Sequence, residues 1–292
     1  SAFDPLRVPT GGSDCMSLAP ASAITATGVI TQPSGLTGTF TVNMVEHGRS
    51  HVPRERMGDT QPNNTTIGDY AAIPDAWYSF SIVSKVLTGP GLPTDTPETW
   101  RYSYSLANAN WSDCTGTCPT TVYTDVVNPD NTSERYTFSN KYDYTESQLL
   151  RTDTYAGAAG SSTLLRSVVN SYAVPTTAPL PVQAGYDLQL NVNSDQITKY
   201  SPLSERILTQ GGDVYSWHAK AFNAYVQPTD EVRSSSMSVI GHESMEEQTT
   251  YLNDTNLWVL GLPLTVTNVT NPSTPEVESL NTYNALDELT TR

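Results

Sequence analysis

Trp77-Tyr78-Ser79-Phe80-Ser81-Ile82-Val83 sets large apolar side chains against small polar ones. Successive residues of a strand point to opposite faces, so this spacing predicts a β-strand with one buried face. The pattern recurs in Trp100-Arg101-Tyr102-Ser103-Tyr104-Ser105 and in Arg135-Tyr136-Thr137-Phe138. On the N-terminal side, Gly38-Thr39-Phe40-Thr41-Val42-Asn43-Met44-Val45 reads as a further strand, whereas Asp59-Thr60-Gln61-Pro62-Asn63-Asn64-Thr65-Thr66 reads as loop. The expected fold is all-β and antiparallel, with a loop-rich β region over residues 1–75 and a dense series of strands over residues 76–292.

Composition agrees. Charged residues make up 15% of the chain against a typical ~25%, so its polarity comes mostly from Thr, Ser, Asn, Gln and Tyr. With 16 Tyr, 5 Trp and 5 Phe to bury, the chain is not disordered, and 20 Pro with 18 Gly interrupt it too often for long helices. The 15 basic residues against 30 acidic ones leave −15, which repels phosphate backbones. Arg49, Arg54 and Arg56 form too small a basic patch to reverse that, so nucleic acid is not an expected partner. No apolar run approaches the ~20 residues that span a bilayer. The start, Ser1-Ala2-Phe3-Asp4-Pro5, is neither a basic signal region nor an initiator Met, and reads as excised from something longer. Of Cys15, Cys114 and Cys118, the last two, in Cys-Thr-Gly-Thr-Cys, either close a short disulfide loop or stay reduced.

Aromatic-centred strand motifs recur at Tyr104, Phe138, Tyr172, Trp217, Tyr251 and Tyr283, at spacings of 34, 34, 45, 34 and 32. A stricter pattern relates Phe222-Asn223-Ala224-Tyr225-Val226-Gln227-Pro228-Thr229 to Tyr283-Asn284-Ala285-Leu286-Asp287-Glu288-Leu289-Thr290. Tyr142-Asp143-Tyr144-Thr145-Glu146-Ser147-Gln148-Leu149-Leu150 is a looser copy with one inserted residue. Asn or Asp just after an aromatic strand residue favours a turn by bonding its own backbone, and the following Leu or Pro starts the return strand. Each unit is then a hairpin that must stack on its neighbours to bury a face.

Over residues 98–292 these segments resemble the YD repeat of the bacterial RHS family, whose core runs Tyr-Asp-x-x-Gly-Arg-Leu. Turns ahead of an aromatic strand, Asn128-Pro129-Asp130-Asn131 and Gln210-Gly211-Gly212-Asp213, and the stretch Tyr251–Pro263 are similar to that family too. The chain departs from the pattern where Val226 and Asp287 replace the Gly, and Gln227 and Glu288 the Arg. The resemblance implies an extended twisted sheet forming part of a larger shell, which wraps a toxic C-terminal domain for export. Arg292, three residues after Leu289, then reads as the cut end of a hairpin. Residues 274–292 also fit a short amphipathic helix, with Leu280, Tyr283, Leu286 and Leu289 on one side.

Signs of chemistry are weak. There is no nucleophile elbow, dinucleotide fingerprint or phosphate loop. His218, beside Trp217 in a strand, reads as a surface residue. His47-Gly-Arg-Ser-His51 could share a metal, but Arg49, Arg54 and Arg56 oppose a cation. Asn128–Asn131 and Asp59–Asp69 lack the ligand spacing of a calcium loop. The sequons at Asn63, Asn64, Asn110, Asn131, Asn253 and Asn268 follow from a Thr-rich composition. No Asp-Pro-x-Gly pair for the family's self-cleavage is present. The expectation is therefore a non-enzymatic structural segment of a secreted or cell-surface protein, with no catalytic, cofactor-binding or metal-binding residue. Its partners would be the rest of its own longer chain and an encapsulated toxin domain. The alternative is a carbohydrate-binding or adhesive β-domain, which would expose a row such as Trp77, Trp100 and Trp111 beside a groove.

Overall fold

The computed structural model describes residues 24–52, 56–60, 66–71, 75–92, 96–174, 201–237 and 243–291, with the backbone alone over 56–60 and 66–71. Ser1–Pro5, Cys15, Arg54, Asn63 and Asn64 lie outside the described residues. The fold is all-β, and no helix occurs among the described residues. In chain order the strands are β1 (Thr25–Thr31), β2 (Thr37–Gly48), β3 (Arg56–Thr60), β4 (Thr66–Ala71), β5 (Ala76–Thr88), β6 (Glu98–Tyr104), β7 (Thr121–Val127), β8 (Ser133–Ser139) and β9 (Leu149–Tyr155). They continue as β10 (Leu164–Tyr172), β11 (Leu203–Gln210), β12 (Asp213–Phe222), β13 (Pro228–Ser235), β14 (Ser244–Asp254), β15 (Val259–Asn268), β16 (Glu276–Leu280), β17 (Thr282–Tyr283) and β18 (Leu289–Thr291).

Fourteen strands form one sheet in the order β1-β2-β5-β6-β7-β8-β9-β10-β11-β12-β13-β14-β15-β16, while β3-β4 and β17-β18 are separate two-stranded ribbons. Two compact units divide the chain, Ser1–Leu165 and Arg166–Arg292. Part of the stretch expected as loop is strand: Asp59 and Thr60 end β3, Thr66 begins β4, and Asp59 pairs with Ile67. Residues 276–291 are strands and a turn, so the hairpin reading holds there and the helix does not.

The spaced aromatics explain the period. Tyr104, Phe138, Tyr172, Trp217 and Tyr251 fall on β6, β8, β10, β12 and β14, so one interval of the sequence is two strands of the sheet. Three of the markers also do a common job. Tyr104 donates its hydroxyl to the Ile82 carbonyl (2.7 Å), Tyr251 to that of Pro228 (2.8 Å) and Tyr283 to that of Pro263 (2.9 Å).

One turn is used four times among the described residues. In Gln32–Leu36, Asn128–Thr132, Asn223–Gln227 and Asn284–Glu288, the first residue's N–H bonds the fifth residue's carbonyl, and the fourth residue's N–H bonds the first residue's carbonyl. The fourth residue is left-handed each time: Gly35 at φ 89°, Asn131 at 64°, Val226 at 65° and Asp287 at 59°. This is a three-residue hairpin loop closed by a left-handed residue. In the two strict copies Asn223 and Asn284 brace it identically. Asn223 Oδ1 accepts from Tyr225 N (2.9 Å) and Gln227 N (3.1 Å), and Asn284 Oδ1 from Leu286 N (2.9 Å) and Glu288 N (3.0 Å). The looser copy follows suit, with Asp143 Oδ1 accepting from Thr145 N at 2.7 Å and Ser147 left-handed at φ 66°. Gly211 and Gly212, at φ 62° and 92°, make the two-residue turn between β11 and β12.

Burial follows the expected alternation in β6, where Arg101 and Ser103 are exposed between half-buried Trp100, Tyr102 and Tyr104, but not in every strand. β15 is half-buried at all 10 positions and β5 at 12 of 13, so neither shows one dry and one wet face. Among the described residues the buried apolar side chains are Val52, Val126, Tyr155 and Ala219, fewer than the buried polar ones. A sheet with so little dry core relies on cross-strand pairs, each contributing about 0.2–1 kcal/mol, and the uncharged polar composition supplies them. Ser216 faces Ser234 with hydroxyls 2.6 Å apart, Thr31 faces Thr37 at 3.3 Å, and the Thr250 and Thr265 hydroxyls bond across β14 and β15.

Candidate functional site

The segment that leaves β2 carries two of the three fully buried side chains among the described residues. Ser50 and Val52 are both 0% exposed. Two segments enclose them: Ser50 N donates to Asn140 O (2.7 Å) and Tyr142 N to Ser50 O (2.8 Å), while Val52 N donates to Asn110 O (3.2 Å) and Ser112 N to Val52 O (2.8 Å). Arg49 ion-pairs with Glu146 and stacks 4.8 Å from the Trp77 ring centroid. Gly48 is needed where β2 meets the loop after β6, because a Cβ there would lie 2.6 Å from Ala107 O and 2.8 Å from Ala109 Cβ. Cys114 and Cys118 are joined by a disulfide in that same loop. Three buried polar atoms here, Ser50 Oγ, His51 Nδ1 and Asn140 Oδ1, have no hydrogen-bond partner among the described residues.

Beside this node lies a cavity of ≈ 320 Å³, walled by His47, Trp77, Tyr104, Val122, Phe138 and Asn140 among others. His47 pairs across β2 and β5 with Trp77 and is held by all three neighbours: Nε2 lies 2.9 Å from Ser81 Oγ, the ring stacks on Trp77 at 6.1 Å and meets Tyr104 edge-on at 5.9 Å. Burial lowers the His47 pKa and raises that of Tyr104, so imidazole and phenol are both neutral near neutral pH. A histidine whose folded pKa lies below its unfolded value stabilises the fold above the unfolded pKa, and that contribution is lost as pH falls through the folded one. The urea midpoint of the protein should therefore drop between about pH 7 and about pH 5.5, and drop less in His47→Gln. An equal drop in both proteins would contradict the assignment.

The second unit carries a wider cleft of ≈ 820 Å³ on the face of β11–β14. Two cross-strand rows that begin on β10 supply lining residues from β11 onward. One runs Asn170, Arg206, Trp217, Arg233, Met245, and the next Val168, Leu208, Tyr215, Ser235. Trp217 donates its indole N–H to Glu231 at 2.5 Å. Glu231 sits directly opposite Glu247, and Arg233 reaches both, lying 3.5 Å from Glu231.

The sequence-derived candidates separate. His47 and His51 engage different partners: His51, at φ 57°, donates its backbone N–H to Asn110 Oδ1 at 2.9 Å. Among the described residues no group of three or more His, Cys, Asp and Glu side chains is placed to hold a metal ion. Asn128–Asn131 acts as a turn, in which the Asp130 carboxylate accepts from Thr132 N (3.0 Å) and Oγ1 (2.6 Å), bonds that hold its pKa below the usual range. Trp77, Trp100 and Trp111 are half-buried; Arg49 covers Trp77, Lys85 lies 3.7 Å from the Trp100 centroid, and Trp111 stands in the loop after β6. His218 is exposed. Sequence reasoning missed the Gly48–Val52 node and the Glu231–Arg233–Glu247 cluster. Alternating charge in Glu231-Val232-Arg233 was the signal for the second; the first has none beyond Gly48. No protein-family model matches the chain, and no curated protein is similar enough to be a relative. What the fold and clefts define is a class: an all-β protein of hairpin units with shallow, aromatic-floored clefts.

Proposed function

We propose that this chain is a non-enzymatic structural segment of an RHS/YD-repeat protein, contributing to a β-shell that encloses or presents a C-terminal toxin for secretion. The observation that carries the reading is the repeated turn. Val226 and Asp287 stand where the repeat has its Gly, and both adopt the left-handed conformation that Gly serves. On this reading the hairpins that share the turn are copies of one unit even where the turn residues have drifted. Hydroxyl pairs and tyrosine-to-carbonyl bonds join several of the neighbouring strands, which suits a thin wall rather than a packed globule. The Cys114–Cys118 disulfide fits an oxidising, extracellular setting.

Limited proteolysis of the native gene product tests this. The expected result is a protease-resistant particle containing this segment and a C-terminal domain that is digested only after denaturation. Release of this segment as a freestanding domain, with no enclosed polypeptide, would overturn the proposal.

A further inference from the structure

We infer that the cleft on β11–β14 is a binding site for an acidic oligosaccharide, with pyranose rings on Tyr215 and Trp217 and a uronate carboxylate on Arg206. The site stands on its own geometry, independent of any role in a shell. Tyr215 and Trp217, two residues apart on β12, project from the same face and line the cleft. Neighbours two apart on one face lie about 7 Å apart, a spacing that lets adjoining sugar rings each meet an aromatic face. The indole is fixed in advance by its bond to Glu231, so little ordering is left for binding.

Charge selects the ligand. Arg233 is committed to Glu231 and Glu247. Arg206 is exposed and, among the described residues, has no carboxylate in salt-bridge range. Its Nε donates instead to Asn170 Oδ1 at 3.1 Å, and Asn170 is only 7% exposed. A buried amide thereby orients the guanidinium, leaving its terminal N–H groups to grip a carboxylate. In a chain of net charge −15, an oriented cation without a counter-ion beside a Trp–Tyr floor is unusual. Glu243 also lines the cleft and opposes an anion at that end, which places the ligand's carboxylate toward Arg206. A volume of ≈ 820 Å³ accommodates more than one ring.

The test is titration of the full chain with trigalacturonate and, separately, with maltotriose, read by tryptophan fluorescence and calorimetry. Saturable binding of trigalacturonate, at least about tenfold tighter than maltotriose, is expected. Arg206→Gln, at an exposed position, should remove that preference, and Tyr215→Ala should weaken both ligands. Should Tyr215→Ala not fold, Arg206→Gln with the salt dependence of binding still decides. No binding of trigalacturonate, equal binding of the two sugars, unchanged binding by Arg206→Gln, or tighter binding of oligo-dT than of either sugar would each overturn the proposal.

Discussion

Arg233→Gln should lower the unfolding free energy of the second unit by about 3 kcal/mol, because it strands two facing carboxylates in a poorly solvated site. Glu231 and Glu247 are directly opposed on β13 and β14, with side chains only 14% and 12% exposed. Like charges in that position repel, and Arg233 is the cation bonded to both. Its own side chain is 47% exposed, which places the effect at the lower end of the range for broken buried pairs. Urea unfolding of both proteins measures the deficit; an Arg233→Gln protein as stable as the parent would contradict the cluster described.

Gly48→Ala should cost about 2–3 kcal/mol, an overpacking penalty with no flexible neighbour to absorb it. The added Cβ meets Ala107 O, Ala109 Cβ and Ala109 N at 2.6, 2.8 and 3.0 Å, which are backbone atoms or fixed to backbone. Relief requires moving the loop that supplies Asn110 to Val52 and His51, so the damage should reach the Trp77 environment in near-ultraviolet circular dichroism. Gly28→Ala is the control. Gly28 lies in β1, has nothing within 4 Å of a new Cβ, and should gain about 0.5–1 kcal/mol from the unfolded chain's lost freedom. Destabilisation by Gly28→Ala, or tolerance of Gly48→Ala, would contradict the packing described.

The readable parts of this sequence were those with local causes. Alternation in Trp77–Val83 and Gly38–Val45 located β5 and β2 because side-chain period is a property of the strand itself. Asn223 and Asn284 announced their turns because an Asx side chain bonds the backbone within its own loop. Spacings of 34 residues marked hairpin units because each aromatic returns on every second strand. The illegible parts depend on distant partners. Ser50 and Val52 become buried only because residues 107–112 and 140–142 arrive on either side of them. The single-sided burial inferred from alternation holds in β6 but not in β5 or β15, for a related reason: alternation says which faces differ, whereas burial depends on what covers them. In β15 nothing distinguishes Leu262 from Pro263 or Thr265, all half-buried. Charge pairing across strands was equally hidden, since Arg233 and Glu247 lie 14 residues apart and meet only through the register.

Val226→Gly tests most directly the turn shared by four hairpins, in which Val226 is the left-handed residue. A β-branched residue at φ 65° is strained by about 1–2 kcal/mol, which glycine relieves. Glycine in an ordinary strand instead costs about 0.5–1 kcal/mol, so the two readings differ in sign. Equilibrium unfolding should show Val226→Gly more stable than the parent by about 1 kcal/mol, with Val226→Ala giving no comparable gain. A Val226→Gly protein less stable than the parent would contradict the shared turn and, with it, the support it lends to the proposed hairpin-repeat origin.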